Sequence, residues 1–283
     1  MPLRSQPTAR QMRLGAELRR LRDAAGLSAR EVAGLLGSNS AVMSQMEAGN
    51  GGVSAERVRR LAAHYACDDT DYIDALVAMA TDRTKGWWEE YRGVLPPEFL
   101  DVSELEHHAT YRSDVVLMHV PGLLQTEEYA RAIFGYRYPP LPESELQPRV
   151  EHRMRRREFI EGDAPLRYDA ITHEAALRIR VGDRASARRQ LEWMLTLSAV
   201  DHITVRVIPF AREGFGGGGW SMGYVGGPVP RLDTVIRDTP HGTYFLDAEA
   251  QLRRAQGLFH KMEEAALTPR QSHDFIHQVA KEL

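Results

Sequence analysis

The sequence predicts an α+β protein, with an all-α N-terminal domain of five helices followed by a mixed α+β C-terminal domain. Up to about residue 80, apolar residues recur at helical spacing between residues that start and stop helices. Alternating residues typical of strands come later, as in Ile203–Phe210. A polar connector separates the two patterns, so we expect domains at 1–80 and 87–283 with a linker at 81–86.

The first two helices are predicted from their end signals. Helical spacing of apolar residues begins at Arg10 and stops at Gly26. Ser28 and Glu31 form the sequence of a capping box, which opens a second helix that Gly37 ends. The residues expected to face inward are Met12, Leu14, Leu18 and Leu21 in the first helix and Val32, Ala33 and Leu36 in the second.

Three further helices complete the N-terminal domain. Asn39 is a cap for a helix from Ser40 to Ala48, which Gly49 ends. Ser54 caps the fourth helix, and the fifth runs from Asp69 to Ala80. The fourth helix is expected to bury Val58, Leu61, Ala62 and Tyr65.

The composition is that of a soluble globular protein, with 43% hydrophobic and 27% charged residues in a chain of 283. No segment approaches the roughly 18 uninterrupted apolar residues of a membrane span, and no secretory signal is visible at the N-terminus. We therefore expect a cytoplasmic protein. The single cysteine, Cys67, excludes an internal disulfide and is expected to be buried.

The charge is distributed unevenly along the chain. Residues 1–66 contain ten Arg and no Lys against five Asp or Glu, a net charge of +5. Because the whole chain carries −3, the remainder carries −8. A basic N-terminal domain on an acidic body favours a polyanionic partner for the basic part, with an arginine-rich solvated surface as the alternative.

The second and third helices are separated only by Ser38 and Asn39 after Gly37, which is typical of a helix-turn-helix. The string GLSAREVAGLLGSNSAVMSQMEAG resembles the lambda-repressor and Cro-like (Xre-type) DNA-binding family, and the resemblance covers about residues 10–80. It implies a five-helix lambda-repressor-like domain that binds double-stranded DNA. The matching positions are Leu27-Ser28, Ala33, Leu36-Gly37, Ser44-Gln45-Met46-Glu47 and Gly49.

The third helix is expected to read bases. Met43 and Met46 point inward at three-residue spacing, which leaves the outer face to other residues. Gln45 could pair with adenine N6 and N7, and Ala41 could touch a thymine methyl. The family often has Gln where this chain has Ala29 and Ser40. This chain therefore lacks the family's usual side chain at one phosphate-contact position, 29, and at one base-reading position, 40. The predicted base-reading residues are Ser40, Ala41, Ser44 and Gln45.

Five other residues receive roles in this domain. Arg30, Arg57 and Arg60 are predicted phosphate contacts, with solvated surface as the alternative for each. Arg22 and Glu47 match a structural ion pair of the family, which links the first helix to the third. Helix-turn-helix domains bind DNA sites made of two half-sites, which lie about 34 Å apart on one face of the double helix. One chain binds each half-site, so we expect a homodimer, associated with the nucleoid when it is bound to DNA.

In the C-terminal domain, a strand from Val115 to Val120 runs into Pro121-Gly122, and Thr126 caps a following helix. Another helix is expected from Arg149 to Ile160, and long helices from Ala248 to Leu267 and from Pro269 to Glu282. Further strands are expected at Ile203–Phe210, Tyr224-Val225, Asp233–Arg237 and Thr243–Leu246.

A second set of strings is similar to the C-terminal domain of actinomycete antitoxin-like (WhiJ-like) regulators, over nearly all of residues 86–283. The strings are WWEEY, LPPEF, LEHHA, VPGLLQTEEYARA, EHRMRRREF, HEAALR, RQLEWMLTLS and ITVRVIPF. The resemblance implies a regulator, of development or secondary metabolism, whose DNA binding is modulated by a small partner protein encoded nearby.

A partner or ligand surface is predicted in this body. The paired tryptophans at its start could stack on a ligand, or could anchor the domain edge in its own core. The arginine-rich run 149–157 could be an anion or partner surface, and a solvated face paired with Glu151 and Glu158 is the favoured interpretation. The predicted surface residues are Trp87, Trp88, Leu123, Gln125 and Arg155.

Catalytic, metal and cofactor chemistry have little support in the sequence. His107-His108 and His173-Glu174 lack metal spacing, and no catalytic signature is present. Gly214–Gly219 fits GxGxxG, but Trp220–Val225 resembles a strand where a dinucleotide site needs a helix. We expect no enzyme, no cofactor and no metal. Three hypotheses stand: a partner-modulated DNA-binding regulator, a small-molecule-sensing repressor, and an enzyme tethered to DNA.

Overall fold

The computed structural model describes residues 7–217, 221–239 and 242–283. The chain divides into two compact units, Met1–Leu105 and Glu106–Leu283. The first unit is helical and the second contains a mixed sheet with helices, so the predicted α+β class is confirmed.

The N-terminal unit contains the five predicted helices and a short helical extension. The extension consists of a 3-10 helix, Trp87–Tyr91, and the start of a sixth helix. The helices are α1 (Ala9–Ala24), α2 (Ala29–Leu35), α3 (Ser40–Glu47), α4 (Ala55–His64), α5 (Thr70–Thr81) and α6 (Pro97–His107).

The compact units divide later in the chain than the linker predicted at 81–86. Residues 87–105 belong to the N-terminal unit, where the backbone N–H of Ala9 donates to Oδ1 of Asp101 over 3.2 Å. The predicted limits of 1–80 and 87–283 describe the sequence pattern and stay a prediction.

The predicted helix caps are present. The hydroxyl of Ser28 accepts from the backbone N–H of Glu31 at 3.2 Å, and the Glu31 carboxylate accepts from Ser28 N–H at 2.7 Å. Asn39 accepts from Val42 N–H at 3.0 Å, and Ser54 accepts from Arg57 N–H at 3.2 Å. Side-chain caps satisfy amides that a helix leaves free, so each start is fixed by local sequence.

The core of this unit follows the predicted apolar faces with three corrections. Met12 is 44% exposed, whereas Leu14, Leu18 and Leu21 of the same helix are buried. Leu36 and Cys67 are half-buried. The predicted residues that are buried in the other helices are Val32, Ala33, Met43, Met46, Val58, Leu61, Ala62 and Tyr65.

The C-terminal unit is built on a six-stranded sheet in the order β3-β2-β1-β4-β5-β6. The first three strands are parallel, and the remaining three pair antiparallel. The strands are β1 (Tyr111–Val116), β2 (Arg167–His173), β3 (Ile203–Ile208), β4 (Met222–Gly226), β5 (Thr234–Thr239) and β6 (Gly242–Leu246).

Seven α-helices accompany the sheet in the described residues. Helices α7 to α9 connect β1 to β2, and α10 and α11 connect β2 to β3. Two long helices follow β6. The bounds are α7 (Glu127–Gly135), α8 (Glu143–Arg155), α9 (Glu158–Glu161), α10 (Glu174–Arg178), α11 (Arg184–Leu197), α12 (Glu249–Ala265) and α13 (Pro269–Glu282).

Both faces of the sheet carry an apolar core. Ala170 of β2 lies in a cluster that includes Met194 of α11 and Ile276 of α13. Its neighbour Ile171 lies in a second cluster, with Leu252 of α12. Successive side chains of a strand point to opposite faces, so the central strands are covered on both sides.

Three elements of this unit differ from the prediction. Strand β2, at the middle of the parallel part, was not predicted, because a strand buried on both faces lacks polar alternation. Strand β1 ends at Val116, not at Val120. The helix expected at 149–160 is two helices, α8 and α9.

Among the described residues, no helix is long and apolar enough to cross a membrane.

The end of α4 generates a stability prediction. Helices α1, α2 and α3 are followed by Gly26, Gly37 and Gly49 at φ of 69°, 60° and 77°, but α4 is followed by Ala66 at φ 53°. A left-handed conformation costs an L-residue about 1–2 kcal/mol, so Ala66→Gly should stabilise the chain by about 1 kcal/mol in denaturant unfolding.

Ala63→Gly, on the exposed side of α4, is the matched control for Ala66→Gly. It should destabilise by about 1 kcal/mol, because glycine is unfavourable inside a helix. Equal destabilisation by both substitutions would contradict the assignment of Ala66 as the strained helix end.

Candidate nucleic-acid interface

The turn between α2 and α3 is closed by backbone hydrogen bonds. Ser38 N–H donates to the carbonyl of Ala33 at 2.8 Å, and Gly37 N–H donates to that of Gly34 at 3.1 Å. This pair of bonds is the Schellman motif, which needs a residue at positive φ, and Gly37 supplies it. Asn39 then caps α3 at once, so the angle between the two helices is set within three residues.

Helix α3 has one buried and one exposed face. Met43 and Met46 are 0% and 2% exposed, as predicted from their spacing. At about 100° per residue, the four predicted base-reading positions fall within about 140° of the helix circumference. The structure places all four on the exposed face: Ser40, Ala41, Ser44 and Gln45.

The end of α3 packs against α1 at backbone distance. A Cβ on Gly15 of α1 would lie 2.5 Å from the carbonyl oxygen of Glu47 and 2.7 Å from that of Met46. A Cβ on Gly49 would lie 2.8 Å from the backbone nitrogen of Met12. These two glycines allow α1 and the end of α3 to approach more closely than any side chain would permit.

The ion pair predicted between Arg22 and Glu47 is present and bidentate. The Nε of Arg22 donates to Oε1 of Glu47 at 2.6 Å, and Nη2 donates to Oε2 at 2.9 Å. Nη1 of Arg22 donates to the carbonyl of Leu27 at 2.8 Å. The hydrogen bonds with Glu47 raise the pKa of Arg22. Both side chains are about 10% exposed or less, so the pair holds α1, the α1–α2 loop and α3 together in a largely desolvated place.

A second buried carboxylate, which sequence reasoning missed, joins α1 to α5. Glu17 is 1% exposed and accepts from the hydroxyl of Tyr72 at 2.6 Å. Arg13 and Arg20 of α1 also pair with it. A charged residue on an otherwise apolar helix face was the available signal, since buried charges need partners.

Six arginines of the basic N-terminal segment fall into two groups. Arg13, Arg20 and Arg22 hold buried carboxylates inside the unit. The three predicted phosphate contacts are accessible: Arg30 and Arg60 are exposed and Arg57 is half-buried.

The five residues predicted to form a partner or ligand surface are mostly not on a surface, and Trp87 and Trp88 belong to the N-terminal unit. Trp88, Leu123 and Gln125 are 2%, 0% and 3% exposed, so they are buried and the prediction that they lie on a surface is wrong. Trp87 is half-buried, with its ring edge-on to Trp88 at 6.0 Å between centroids. Arg155 is half-buried, and its Nε lies 3.8 Å from Oε1 of Glu158.

The segment around Pro121-Gly122 is a structural corner between β1 and α7. Val120 N–H donates to the hydroxyl of Tyr129 at 3.1 Å, and Gln125 Nε2 donates to the carbonyl of Val120 at 2.7 Å. Gln190 of α11 bonds both sides of the corner, at Leu124 and Thr126. Thr126 caps α7 as predicted.

The arginine-rich run 149–157 is not the solvated face that the sequence favoured. Arg149 and Arg156 are 6% and 8% exposed. Arg156 binds Glu106 with two nitrogens, and Nη2 of Arg157 donates to the backbone carbonyl of Gln125 at 2.5 Å. Both expected partners are exposed: Glu158 pairs with Arg155 as predicted, and Glu151 accepts from Nε2 of Gln147 at 2.7 Å.

No group of three or more His, Cys, Asp or Glu able to hold a metal ion occurs in the part of the chain that the structure describes. The glycine-rich segment is irregular over residues 214–217, and its remaining residues, 218–219, lie outside the described ranges with Trp220.

Comparison with known families assigns both parts of the chain. A family model described as a helix-turn-helix domain matches residues 13–73, which contain α2, α3 and the turn between them. A second model, described as a domain of unknown function, DUF5753, matches residues 99–278, which is more than half of the chain. The chain belongs to the DUF5753 family.

The DUF5753 region extends from α6 into α13 and so includes the whole six-stranded sheet. No curated protein and no solved structure matches the chain.

The contribution of the Arg22–Glu47 ion pair to the stability of this DUF5753 protein can be tested with Arg22→Met. The substitution keeps an apolar stem but leaves Glu47 buried without its counter-ion. Removal of one member of a buried pair costs about 3–5 kcal/mol, and we expect a loss of about 3 kcal/mol in the free energy of unfolding measured with denaturant.

Arg59→Met is the matched control, because Arg59 pairs with Asp74 on the surface of the same unit at 55% and 60% exposure. Exposed pairs contribute about 0–1 kcal/mol. If the two substitutions cost the same, the Arg22–Glu47 pair is not what holds α3 in place.

Proposed function

We propose that the protein is a sequence-specific DNA-binding transcription regulator of the Xre type, and that α3 enters the major groove. The observation that carries the proposal is the orientation of α3. Its exposed face is formed by Ser40, Ala41, Ser44 and Gln45, while its opposite face is buried and its end is bound to α1. The major groove, about 12 Å wide, accepts one helix in this orientation.

Each residue of the exposed face has a specific chemical role in the proposal. The Gln45 amide can accept from N6 and donate to N7 of the same adenine, which distinguishes this base from the other three. Ala41 gives an apolar contact for a thymine methyl. The hydroxyls of Ser40 and Ser44 donate and accept, so they tolerate several base edges.

Arg30, Arg57 and Arg60 are the proposed phosphate contacts. Arg59, on the same helix as Arg57 and Arg60, is held by Asp74, whereas no described carboxylate pairs with the other three. Unpaired guanidinium groups on an exposed surface are available for phosphate oxygens. We propose that two chains act together as a homodimer on half-sites one helical turn apart.

The C-terminal unit is proposed to modulate DNA binding in response to a small partner protein, in an antitoxin-like pair acting in development or secondary metabolism. The similarity of this unit to WhiJ-like regulators supports the proposal. Tyr136 and Tyr138 are 95% and 99% exposed, between α7 and α8. Exposed aromatic side chains are enriched at protein interfaces, so we place the partner contact there. We propose a cytoplasmic location and no enzymatic activity.

Base reading is tested with Gln45→Ala. Because the substitution removes a bidentate contact, affinity for the preferred site should fall by about 1–3 kcal/mol, and discrimination should be lost at one base pair of each half-site. The measurement is DNA-binding titration against a panel of single-base variants of the site. An unchanged base preference would show that Gln45 does not read DNA.

Arg57→Gln is the contrasting variant in the same titrations. It removes a phosphate contact, so all sequences should weaken alike and the dependence of log K on log salt should fall by about one. Arg59→Gln loses the same charge from the same helix and should leave that slope nearly unchanged. Equal slopes for both variants would contradict the assignment of Arg57.

The partner proposal is tested by adding the product of a neighbouring small gene to the protein–DNA titration. We expect the affinity for DNA to change for the unmodified chain and to stay constant for the double variant Tyr136→Ser and Tyr138→Ser. Tyr244→Ser, at a 51% exposed tyrosine of β6, is the control and should respond normally. Absence of any response in the unmodified chain would contradict the proposal.

A further inference from the structure

The C-terminal unit contains a buried network of arginines and carboxylates beside β1. The Glu106 carboxylate accepts from Nε and Nη2 of Arg156 at 2.8 and 2.6 Å, and from Arg112. Nε of Arg112 also donates to both oxygens of Asp114 at 3.0 Å, and the Tyr168 hydroxyl donates to Asp114 at 2.7 Å. These five side chains are 0–8% exposed. Two cations and two anions balance in this network.

Arg153, one turn before Arg156 on α8, adds a third cation without a carboxylate of its own. Its Nη1 donates to Oε1 of Gln125 at 2.8 Å, and its guanidinium carbon lies 4.2 Å from the centroid of the Phe134 ring. Its Nε is buried and has no hydrogen-bond partner among the described residues. An amide oxygen and an aromatic ring stabilise a cation but do not neutralise it, so one positive charge is left over.

Arg153 of α8 and Arg156, which directly follows α8, face the same backbone position. A Cβ on Gly122 would lie 3.9 Å from both Cζ and Nε of Arg153, and 4.0 Å from Nη1 of Arg156. Gly122 has no side chain to fill that position, and both Gly122 and Arg153 are half-buried. Met118 and His119, which precede this corner, are exposed. The position at Gly122 between the two guanidinium groups is therefore partly shielded from water, and it lies close in sequence to the exposed residues Met118 and His119.

The neighbouring titratable groups respond to the excess positive charge. Burial and the charge of Arg156 lower the pKa of Arg153 to about 9. Burial, together with Arg156, Arg153 and Arg155, lowers the pKa of His152 to about 3. Burial and Arg153 also lower the pKa of His119. Asp238 attracts Arg153 from a distance but is exposed and accepts from Thr243.

We propose that Arg153 and Arg156, with the backbone at Gly122, bind the carboxylate or phosphate group of a small anionic ligand. A guanidinium fork matches the paired oxygens of either group and binds them bidentately. A partly desolvated cation is costly until an anion accompanies it, so the ligand would complete the network. Glycine at position 122 leaves room for the ligand to approach the backbone. The proposal concerns the C-terminal unit and does not depend on DNA binding.

The test titrates the full chain with inorganic phosphate and, separately, with citrate, each compared with NaCl at equal ionic strength. Thermal unfolding and calorimetry provide the readouts. An anion that binds only the folded state raises Tm by an amount that grows with the logarithm of its concentration, and its binding heat saturates once the site is filled. We expect saturable binding of at least one of the two anions. Loss of a charged hydrogen-bonding group should weaken binding by roughly tenfold or more in Arg153→Gln.

Two variants keep the test independent of folding defects. Arg153→Gln removes a cation that has no carboxylate partner, so without anion its Tm should be equal to that of the unmodified chain or higher. Arg156→Gln removes a counter-ion of the buried Glu106 carboxylate and should therefore lower Tm. Arg153→Lys keeps the charge but lacks the fork, so it should bind the anion with intermediate affinity.

Arg188→Gln is the charge control, because Arg188 is 58% exposed on α11 and pairs only with Glu192 among the described residues. It should bind the anion like the unmodified chain. Binding of phosphate alone indicates a phosphorylated ligand, and binding of citrate alone indicates a carboxylate ligand. The proposal is overturned if neither anion acts beyond NaCl, or if Arg153→Gln binds as tightly as the unmodified chain.

Discussion

The close contact between α1 and the end of α3 is the constraint on which the proposed DNA-binding face depends. Helix α3 has only eight residues, and so short a helix is not stable alone. Gly15 lets the two backbones meet, and the Arg22–Glu47 pair closes the contact from the side. Because the buried face of α3 is fixed in this way, its outer side chains can be presented in one orientation.

Arginine has two different uses in this chain. In both units it neutralises buried carboxylates: Arg22 binds Glu47, and Arg156 binds Glu106. Such pairs fix the orientation of helices. An arrangement that separates the two partners would leave a buried charge without its counter-ion, which is strongly destabilising. Arg153 differs, since its described partners are an amide and an aromatic ring. Arg156 has both uses in our proposals, since it pairs with Glu106 and also faces Gly122 beside Arg153.

Sequence alone predicts those parts of the fold that depend on local chemistry. Ser28, Asn39 and Ser54 cap helices through their own hydroxyl or amide groups, so these helix starts could be located within a residue. Strand β2 could not be located, because its apolar residues serve two cores and show no alternation. The positions of Leu123, Gln125 and Arg156 depend on partners distant in sequence, such as Glu106, and so the sequence assigned them to a surface.

The proposal that α3 reads DNA sequence can be tested by selecting bound DNA from a random library with the full chain. We expect an enriched motif made of two related half-sites whose centres are about 34 Å apart, one turn of the double helix. Enrichment of no sequence over the starting library would contradict the claim.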